Sequence, residues 1–254
     1  MEMEVCVYGN GTLAHTIRKA CMLAHCHVFD PTPRTKVAWM ADDVPLYEDR
    51  AEYAQVMIWI HQRMPAIRPQ TLVVVSSQMP VGTIAQLERA YPNHTFAYVP
   101  ENIRVDHAEA DWARQARIVV GLRHQTPMHL AFLETLLLPW TPQILWMTPE
   151  SAEMVKHALN AWLGMNIAFI NEIARIAGAV GADADDIASG LLTERRVGPA
   201  APLHPGAPFG KGHLARDLQL LNRRSETYGL HTPILDNILE SNAGPLARGN
   251  TPLV

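Results

Sequence analysis

The sequence predicts an α/β protein in which a doubly wound parallel sheet is followed by an all-helical domain built on one long helix. Short apolar runs alternate with helical stretches over the first 148 residues, a pattern typical of a parallel sheet covered on both faces. From residue 150 to residue 180 no proline occurs, and apolar residues recur at helical spacing. We therefore expect a sheet domain at residues 1–148 and a helical domain at residues 149–254.

Local signals predict each element. Apolar runs predict strands at residues 4–8, 27–30, 55–60, 71–75, 95–99, 117–121 and 143–147. The first helix is expected at residues 12–23, and the long helix, with Ser151 as N-cap and Gly181 as its stop, spans roughly 45 Å. Shorter helices are expected at residues 184–192, 212–227 and 233–241. The Gly- and Pro-rich loop at residues 197–210 lacks periodicity, and long loops of this kind are often functional.

Composition and charge exclude several classes of protein. With 48% hydrophobic and 18% charged residues, the chain is neither disordered, nor collagen-like, nor a coiled coil. A net charge of −4 and the lack of any Lys/Arg block longer than a pair argue against a nucleic-acid partner. The N-terminus lacks the basic region of a signal peptide, and no apolar run is judged long enough to span a membrane. We expect a cytoplasmic protein without a membrane partner.

The cysteines and histidines suggest no metal or disulfide. Cys6, Cys21 and Cys26 match neither a zinc spacing nor a disulfide framework, so we expect buried or half-buried free thiols in a reducing compartment. The histidines are scattered and show no metal-ligand spacing.

A glycine-rich turn predicts a dinucleotide site. Gly9, Gly11 and Ala14 form G-x-G-x-x-A between the first strand and the first helix, the arrangement of a Rossmann-type domain. Gly9 permits the tight turn, Gly11 permits close approach of a diphosphate, and Ala14 permits close packing of helix on strand. Backbone N–H groups at Gly11, Thr12 and Leu13 are expected to meet the diphosphate at the helix N-terminus.

Three further residues support a nicotinamide cofactor. Asp30 ends the second strand at the spacing expected for a carboxylate that binds a ribose 2′-hydroxyl, which favours NAD over NADP, although Arg34 lies nearby. Ser77 and Gln78 follow the strand at residues 71–75, at the end where ligands of open α/β sheets bind. The alternative is an ordinary strand-to-helix turn with a capping aspartate.

Motifs along the chain resemble those of a known family. Besides the glycine turn they are SQMPVGT (77–83), PENIRVD (100–106), RIVVG (117–121), SAEMVKHALNAWLGMNIAFINEI (151–173) and residues 197–217. In the same order they resemble S-T-V-P-P-G-T, P-E-F-L-x-E-G, R-I-V-I-G, the E-A-E-L-x-K-x-x-x-N helix and the G-F-G-G-S-C-F-P-K-D loop of the UDP-glucose/GDP-mannose dehydrogenase family. The chain is identified as a member of this family, which implies NAD as cofactor and a homodimer through helix 150–180.

This sequence keeps some of the family's functional residues and lacks others. By the resemblance, the family's site positions correspond to Glu101, Lys156, Asn160 and Asp217. The position of the family's catalytic cysteine holds His213, and Val105 and Gln78 stand where the family has a glutamate and a threonine. The family's further α/β domain has no counterpart before the last residue, so a substrate smaller than a nucleotide sugar, or one bound partly by a partner subunit, is expected.

The helix carries the residues expected to act on an alcohol oxygen. Lys156 and Asn160 are four residues apart and therefore share one helix face, which Gly164 and Ala168 continue with small side chains that leave room for a ligand or a close partner. An ammonium and a carboxamide aimed at one oxygen stabilise a developing alkoxide. If burial lowers the lysine pKa, Lys156 also serves as the base. The alternative is a lysine extended along the surface and a capping asparagine.

Several residues near the C-terminal motif are expected to contact substrate. His213 has three interpretations: a general acid/base with Asp217, a contact to a substrate phosphate or carboxylate, or a filler where a thiol was lost. The substrate loop is predicted to comprise Phe209, Gly210, Lys211 and Arg196. Arg195 and Arg216 add positive charge, and convergence of these cations favours an anionic substrate, whereas a solvated surface is the alternative.

The predicted function follows from what is retained. Without the thiol that traps an aldehyde, we expect a single two-electron interconversion of alcohol and carbonyl, NAD-dependent, on a small polar or sugar-like, including phosphorylated, substrate. A second oxidation through a hydrate activated by His213 and Asp217 stays open. Two other functions remain: a catalytically silent NAD-binding scaffold, and a nucleotide-sugar dehydrogenase completed in trans. Trp162, Met165 and Phe169 are candidate contacts of the homodimer, although they can equally pack within one subunit.

Overall fold

The computed structural model describes residues 3–28, 32, 34–44, 46–47, 50–51, 53–100, 108–113, 115–210 and 212–244. The chain divides into two compact units, Met1–Lys156 and His157–Val254. The boundary between the units therefore falls inside the long helix rather than before it.

A seven-stranded sheet forms the centre of the first unit. Its strands are β1 (Glu4–Tyr8), β2 (His27–Val28), β3 (Val37–Met40), β6 (Leu72–Val75), β7 (Thr95–Tyr98), β8 (Ile118–Leu122) and β9 (Ile144–Met147), in the order β2-β1-β3-β6-β7-β8-β9. The first five strands in this order run parallel, whereas β8 is antiparallel to β7 and parallel to β9. A separate antiparallel pair joins β4 (Leu46–Tyr47) and β5 (Arg50–Ala51). The doubly wound α/β fold is confirmed, with its last two strands reversed.

Helices cover both faces of this sheet. They are α1 (Thr12–Leu23), α2 (Tyr53–Arg63), α3 (Thr83–Ala90), α4 (Ala108–Trp112), α5 (Pro127–Leu137) and the first turns of α6 (Pro149–Val180). Successive strand residues enter two different cores: Trp39 and Val74 pack with α1 and α5, whereas Met40 and Val73 pack with α2 and α3. Burial on both faces explains why these strands are almost continuously apolar.

Two element predictions were wrong. Residues 55–60, predicted as a strand, lie within α2, where the buried side chains Val56 and Ile60 are one helical turn apart. The long helix begins at Pro149, and its first turn is capped by Thr148, whose hydroxyl accepts the Ser151 N–H at 3.3 Å. Ser151 is therefore inside the helix. The predicted stop is confirmed, since α6 ends at Val180 and Gly181 has φ +76°.

The strand β3, which the sequence patterns did not predict, lies in the middle of the sheet. Strands β2 and β3 flank β1 on either side. The Thr32 hydroxyl donates to the Glu4 carboxylate at 2.6 Å, and the Lys36 N–H donates to the Glu4 carbonyl at 2.9 Å. Thr32 and Lys36, which precede β3, therefore lie beside the first residue of β1.

The second unit is helical. The later part of α6 packs with α7 (Ala184–Thr193), α8 (His213–Thr227) and α9 (Pro233–Asn242). One core centres on Ala161, Leu218 and Ile238, and another on Ile170 and Leu203. Within the described ranges, α6 is the one helix that is long and apolar enough to cross a membrane by length and composition, with 33% of that stretch buried. The core helix of a soluble protein meets the same criteria.

Candidate functional site

No residue larger than glycine fits at the first position of the glycine turn after β1. Gly9 has φ +120°, and a β-carbon there would lie 2.6 Å from the carbonyl oxygen of Ala41. From within α1, the Arg18 guanidinium donates to the carbonyl oxygens of Val7 at 2.9 Å and Gly9 at 2.5 Å. Arg18 thus holds the turn through its backbone carbonyl groups. The sequence patterns did not identify this residue.

The start of α1 has the features of a phosphate-binding helix end. Gly11 is the N-cap and has no side chain to cap the helix, and the first turn contains no acidic residue. Thr12 is exposed and Leu13 is buried. The backbone N–H groups of the first turn and the positive end of the helix dipole suit an anion. The backbone therefore fits the diphosphate of a dinucleotide, although the Asp43 side chain lies against Gly11.

Two further predicted residues lie at the same sheet edge. Ser77 and Gln78 follow β6, which runs parallel to β1 and β3, so the carboxyl ends of these strands meet at one edge. Both side chains are buried, and the Ser77 hydroxyl donates to the Asp42 carbonyl at 2.7 Å. Ser77 thus holds the segment after β3, which in turn contacts Gly9.

Three predicted site residues, Asp30, Glu101 and Lys211, lie outside the described residues. The roles predicted for them, in binding ribose, in catalysis and in substrate binding, therefore stay predictions.

In the second unit, α6 and α8 bring three polar side chains together in a buried cluster. Asn160 Nδ2 donates to Asp217 Oδ2 at 2.6 Å, and His157 Nδ1 lies 3.3 Å from Asp217 Oδ1. Asp217 is fully buried, His157 is 1% exposed and Asn160 is 6% exposed. The contact between Asn160 and Asp217 joins two predicted catalytic residues that are 57 positions apart in the sequence.

The sequence patterns missed His157. It precedes Asn160 by three residues, so both side chains share the face of α6 that meets Asp217. The i, i+3 spacing of His157 and Asn160 was the signal that could have identified it. Burial of a carboxylate is costly unless polar groups bind it, and the hydrogen bond from Asn160 meets part of that need, while the His157 ring lies beside the other carboxylate oxygen.

His213, at the first position of α8, is exposed, and its Nδ1 lies 2.8 Å from Arg216 Nη2. Arg216 is 6% exposed, and its Nε lies 4.0 Å from Asp217 Oδ1. A buried guanidinium therefore connects the exposed histidine with the buried carboxylate. This arrangement brings two of the predicted polar groups, His213 and Arg216, to the N-terminal end of α8.

The loop at residues 197–210 is fixed by two asparagines. Asn171 Oδ1 accepts the Gly206 N–H at 2.9 Å, and the Asn242 side chain binds both the N–H and the carbonyl of Phe209, at 3.0 and 2.9 Å. The Phe209 ring packs against Gly164, where a β-carbon would lie 3.4 Å from it. Small residues on α6 were expected to leave room for a ligand or a close partner. At Gly164, Phe209 and Leu218 fill that room.

The remaining predicted residues differ in exposure. Arg196 is largely exposed and forms an ion pair with Glu194 at 3.0 Å, and this hydrogen bond lowers the pKa of the Glu194 carboxyl. Gly210 is exposed, with no atom within 4 Å of a β-carbon built on it. Lys156 is 6% exposed and lies one turn before Asn160 on α6. The structure thus places Lys156 in a protected position and Arg196 on the surface.

The three cysteines are free and buried, and all lie in the first unit. Burial, reinforced by the neighbouring Cys26, raises the pKa of the Cys21 thiol far above its ordinary value, and burial also raises the pKa of Cys26. The thiolate form, which is the nucleophile, is therefore suppressed at Cys21 and Cys26. In the part of the chain that the structure describes, no three His, Cys, Asp or Glu side chains are grouped to hold a metal ion.

Comparison with known proteins identifies the family. The sequence profile of the UDP-glucose/GDP-mannose dehydrogenase family, central domain, matches residues 150–244. A UDP-glucose 6-dehydrogenase from Rickettsia typhi is 32% identical over 183 residues, which make up 69% of this chain and 42% of that relative. The chain belongs to this family. Its relatives are NAD-dependent oxidoreductases that act on CH–OH groups.

Solved structures show the same fold. A UDP-glucose dehydrogenase from Pyrobaculum islandicum, 22% identical, superposes with a TM-score of 0.80 and covers 95% of this chain and 68% of its own. A 3-hydroxyisobutyrate dehydrogenase from Mycobacterium tuberculosis, 16% identical, has a TM-score of 0.71 and covers 96% of this chain and 93% of its own. At these identities the likeness concerns the fold. The chain spans less than half of the length of the curated relatives that it matches.

Proposed function

We propose that the protein is an NAD-dependent oxidoreductase that interconverts an alcohol and a carbonyl group in a single two-electron step. The substrate is a small polar or sugar-like molecule, including phosphorylated ones. The observation that carries the proposal is the buried contact between Asn160 and Asp217, two residues that match the family's site positions. A silent scaffold has no chemical need for Lys156, Asn160 and Asp217, so their retention favours a dehydrogenase.

The cysteines support a single step. Oxidation of an alcohol to a carboxylate through a thioester needs a thiolate near the substrate. Here the position matching the family's catalytic cysteine holds His213, the chain's three cysteines are buried, and burial raises the pKa of the Cys21 and Cys26 thiols. A neutral imidazole does not form a comparable covalent intermediate, so the reaction is expected to stop after one hydride transfer.

The chain's own residues supply the acid–base chemistry. NAD, when bound, accepts a hydride from the carbinol carbon. Lys156, buried on α6, stabilises the alkoxide or takes the hydroxyl proton, and Asn160 shares its helix face. Asp217 is oriented by Asn160 and His157 and provides a fixed carboxylate. Gly9, Gly11 and the start of α1 bind the diphosphate.

The cations near α8 support an anionic group on the substrate. Arg216 is buried and its Nη2 contacts His213, which is exposed at the start of the helix. A guanidinium paired with an imidazole at a helix N-terminus suits a phosphate or carboxylate. His213 then contacts substrate rather than acting as a nucleophile.

The experiment measures NADH formed per substrate consumed across a panel of alcohols, sugar phosphates and sugar nucleotides. The expected result is one NADH and one carbonyl product, with turnover lost in Lys156→Ala and kept in the control Lys36→Ala, which changes an exposed lysine. Two NADH with a carboxylate product would refute the single step. Tight NAD binding without any turnover would favour the silent scaffold instead.

Completion in trans is the remaining candidate function. The chain spans 42% and 48% of the length of two curated relatives. It predicts turnover of a nucleotide sugar only when a separate partner chain is added. A small substrate that turns over without any partner contradicts it.

A homodimer through α6 and a cytoplasmic location belong to the same proposal. Trp162, Phe169 and Ile176 are 42%, 46% and 59% exposed and are spaced by seven residues. That spacing places them in one apolar stripe along the helix, which a second copy of the chain would cover.

A further inference from the structure

We propose that the Asp43 carboxylate occupies the phosphate position of the glycine turn and sets the affinity of the protein for the cofactor's diphosphate. This inference rests on the proposed function, since it concerns how NAD enters its site. A β-carbon built on Gly11 would lie 1.7 Å from Asp43 Oδ2 and 2.6 Å from its carboxyl carbon. The carboxylate therefore stands directly against the backbone of the second motif glycine.

That position is the one a phosphate would take. The second glycine of G-x-G-x-x-A has no side chain so that a diphosphate can approach the backbone. Gly11 is also the N-cap of the twelve-residue helix α1, whose first turn contains no acidic residue of its own. The N–H groups and helix dipole that attract a phosphate attract a carboxylate in the same way. Asp43 thus competes with the diphosphate for one anion position.

The backbone places the carboxylate against the glycine turn. Ala41 contacts Gly9, and the Ser77 hydroxyl donates to the Asp42 carbonyl at 2.7 Å, so the segment that carries Asp43 is fixed on the turn. Asp43 itself is exposed. A diphosphate and this carboxylate cannot occupy the position beside Gly11 together, and the negative charge of the carboxylate opposes the approach of a second anion.

Charge and size can be separated by substitution. Asp43→Asn keeps the size of the side chain and removes its charge, whereas Asp43→Ala removes both. Asp42→Asn, one residue earlier, changes the net charge equally and serves as the matched control. A like charge a few Å from a diphosphate weakens binding strongly at a protein surface, so both Asp43 variants should bind NAD at least about fivefold more tightly than the control.

Isothermal titration calorimetry with NAD, inorganic pyrophosphate and adenosine tests the proposal, with thermal melting to confirm that each variant is folded. The expected result is a lower Kd for NAD and for pyrophosphate in both Asp43 variants, and no change for adenosine, which carries no phosphate. A merely structural role would change the melting temperature without distinguishing pyrophosphate from adenosine.

Other outcomes would overturn the inference or the function separately. Weaker or unchanged binding of NAD and pyrophosphate in the Asp43 variants overturns the inference, because the carboxylate would then be a ligand for the cofactor or a bystander. Tighter pyrophosphate binding without NAD binding in any variant supports the role of Asp43 and contradicts the proposed NAD-dependent function. Binding of neither ligand by any variant overturns both.

Discussion

The Glu153 carboxylate binds the backbone of Gly82: Oε2 accepts the Gly82 N–H at 2.6 Å, and Oε1 accepts the Ile84 N–H at 2.8 Å. Glu153 is fully buried on α6, and Gly82 is the N-cap of α3. The carboxylate therefore satisfies two amides that the start of α3 leaves unpaired, and its charge faces the positive end of that helix. Two of the family motifs meet in this contact.

Replacement of this glutamate should destabilise the fold. Glu153→Gln keeps the shape but turns an amide NH2 group toward a backbone N–H, so one buried donor loses its acceptor. We expect the free energy of unfolding to fall by about 1–3 kcal/mol, measured by urea denaturation. The matched control, Glu150→Gln, removes a partly exposed ion pair with Arg123 and should cost less than about 1 kcal/mol. Equal losses of unfolding free energy in the two variants would show that the contact of Glu153 with α3 contributes no more than a partly exposed ion pair.

Two glycines of the chain should respond to alanine in opposite directions. Gly9→Ala adds a β-carbon against the Ala41 carbonyl at a backbone conformation that alanine disfavours, so it should destabilise the protein by about 1–3 kcal/mol and abolish NAD binding. Gly178, inside α6, has no atom within 4 Å of such a β-carbon. Gly178→Ala should therefore stabilise the protein by about 0.5–1 kcal/mol. A thermal melt of both variants distinguishes the two effects.

The sequence was sufficient for the doubly wound fold because strands such as β3, β6 and β8 are buried on both faces, which produces apolar runs. The same property misled the assignment of residues 55–60, since a short apolar run does not distinguish a strand from a helix. Burial of Val56 and Ile60 at a spacing of four shows the helix once the structure is known. The antiparallel direction of β8 was also not predictable from the sequence patterns, because strand direction depends on the path of the connections.

The candidate site was predictable where local spacing carries the chemistry. The glycine turn and the i, i+4 pair of Lys156 and Asn160 are of this kind. The contacts of Asp43 with Gly11 and of His157 with Asp217 join segments that are distant in sequence, and packing alone creates them. The family resemblance mapped Asn160 and Asp217 separately to site positions, but neither it nor the spacing predicted their contact.

His129 should make the protein sensitive to mild acid. Burial lowers the pKa of this imidazole below its ordinary value of 6.5, so the folded state binds a proton less readily than the unfolded chain. As pH falls through 6.5, the unfolded chain takes up a proton that the folded state excludes, and stability decreases. His129→Gln should remove part of the stability lost between pH 7.5 and 5.5 in urea titrations. His124→Gln, at an exposed position, is the control and should leave that loss unchanged.

The apolar stripe on α6 predicts an effect on oligomeric state. Trp162→Glu places a charge in the proposed dimer contact and should convert the protein to a monomer in sedimentation velocity experiments at micromolar concentration. Ile58→Glu introduces the same charge at a position of α2 that is 57% exposed and should not change the sedimentation coefficient. A wild-type protein that sediments as a monomer at all concentrations would contradict the proposed homodimer.

The buried cluster of the second unit should behave as a coupled pair in a double-mutant cycle. Asn160→Ala removes the donor of the 2.6 Å contact and Asp217→Asn removes the charge of its acceptor, so the second substitution should cost less when the first is already present. We expect a coupling free energy of about 1–3 kcal/mol, measured from urea denaturation of the two single variants and the double variant. Asn171 is a matched control, because it lies eleven residues further along α6 and binds Gly206 instead. Asn171→Ala combined with Asp217→Asn should be additive within about 0.5 kcal/mol, and additivity in both cycles would show that Asn160 does not hold Asp217 in solution.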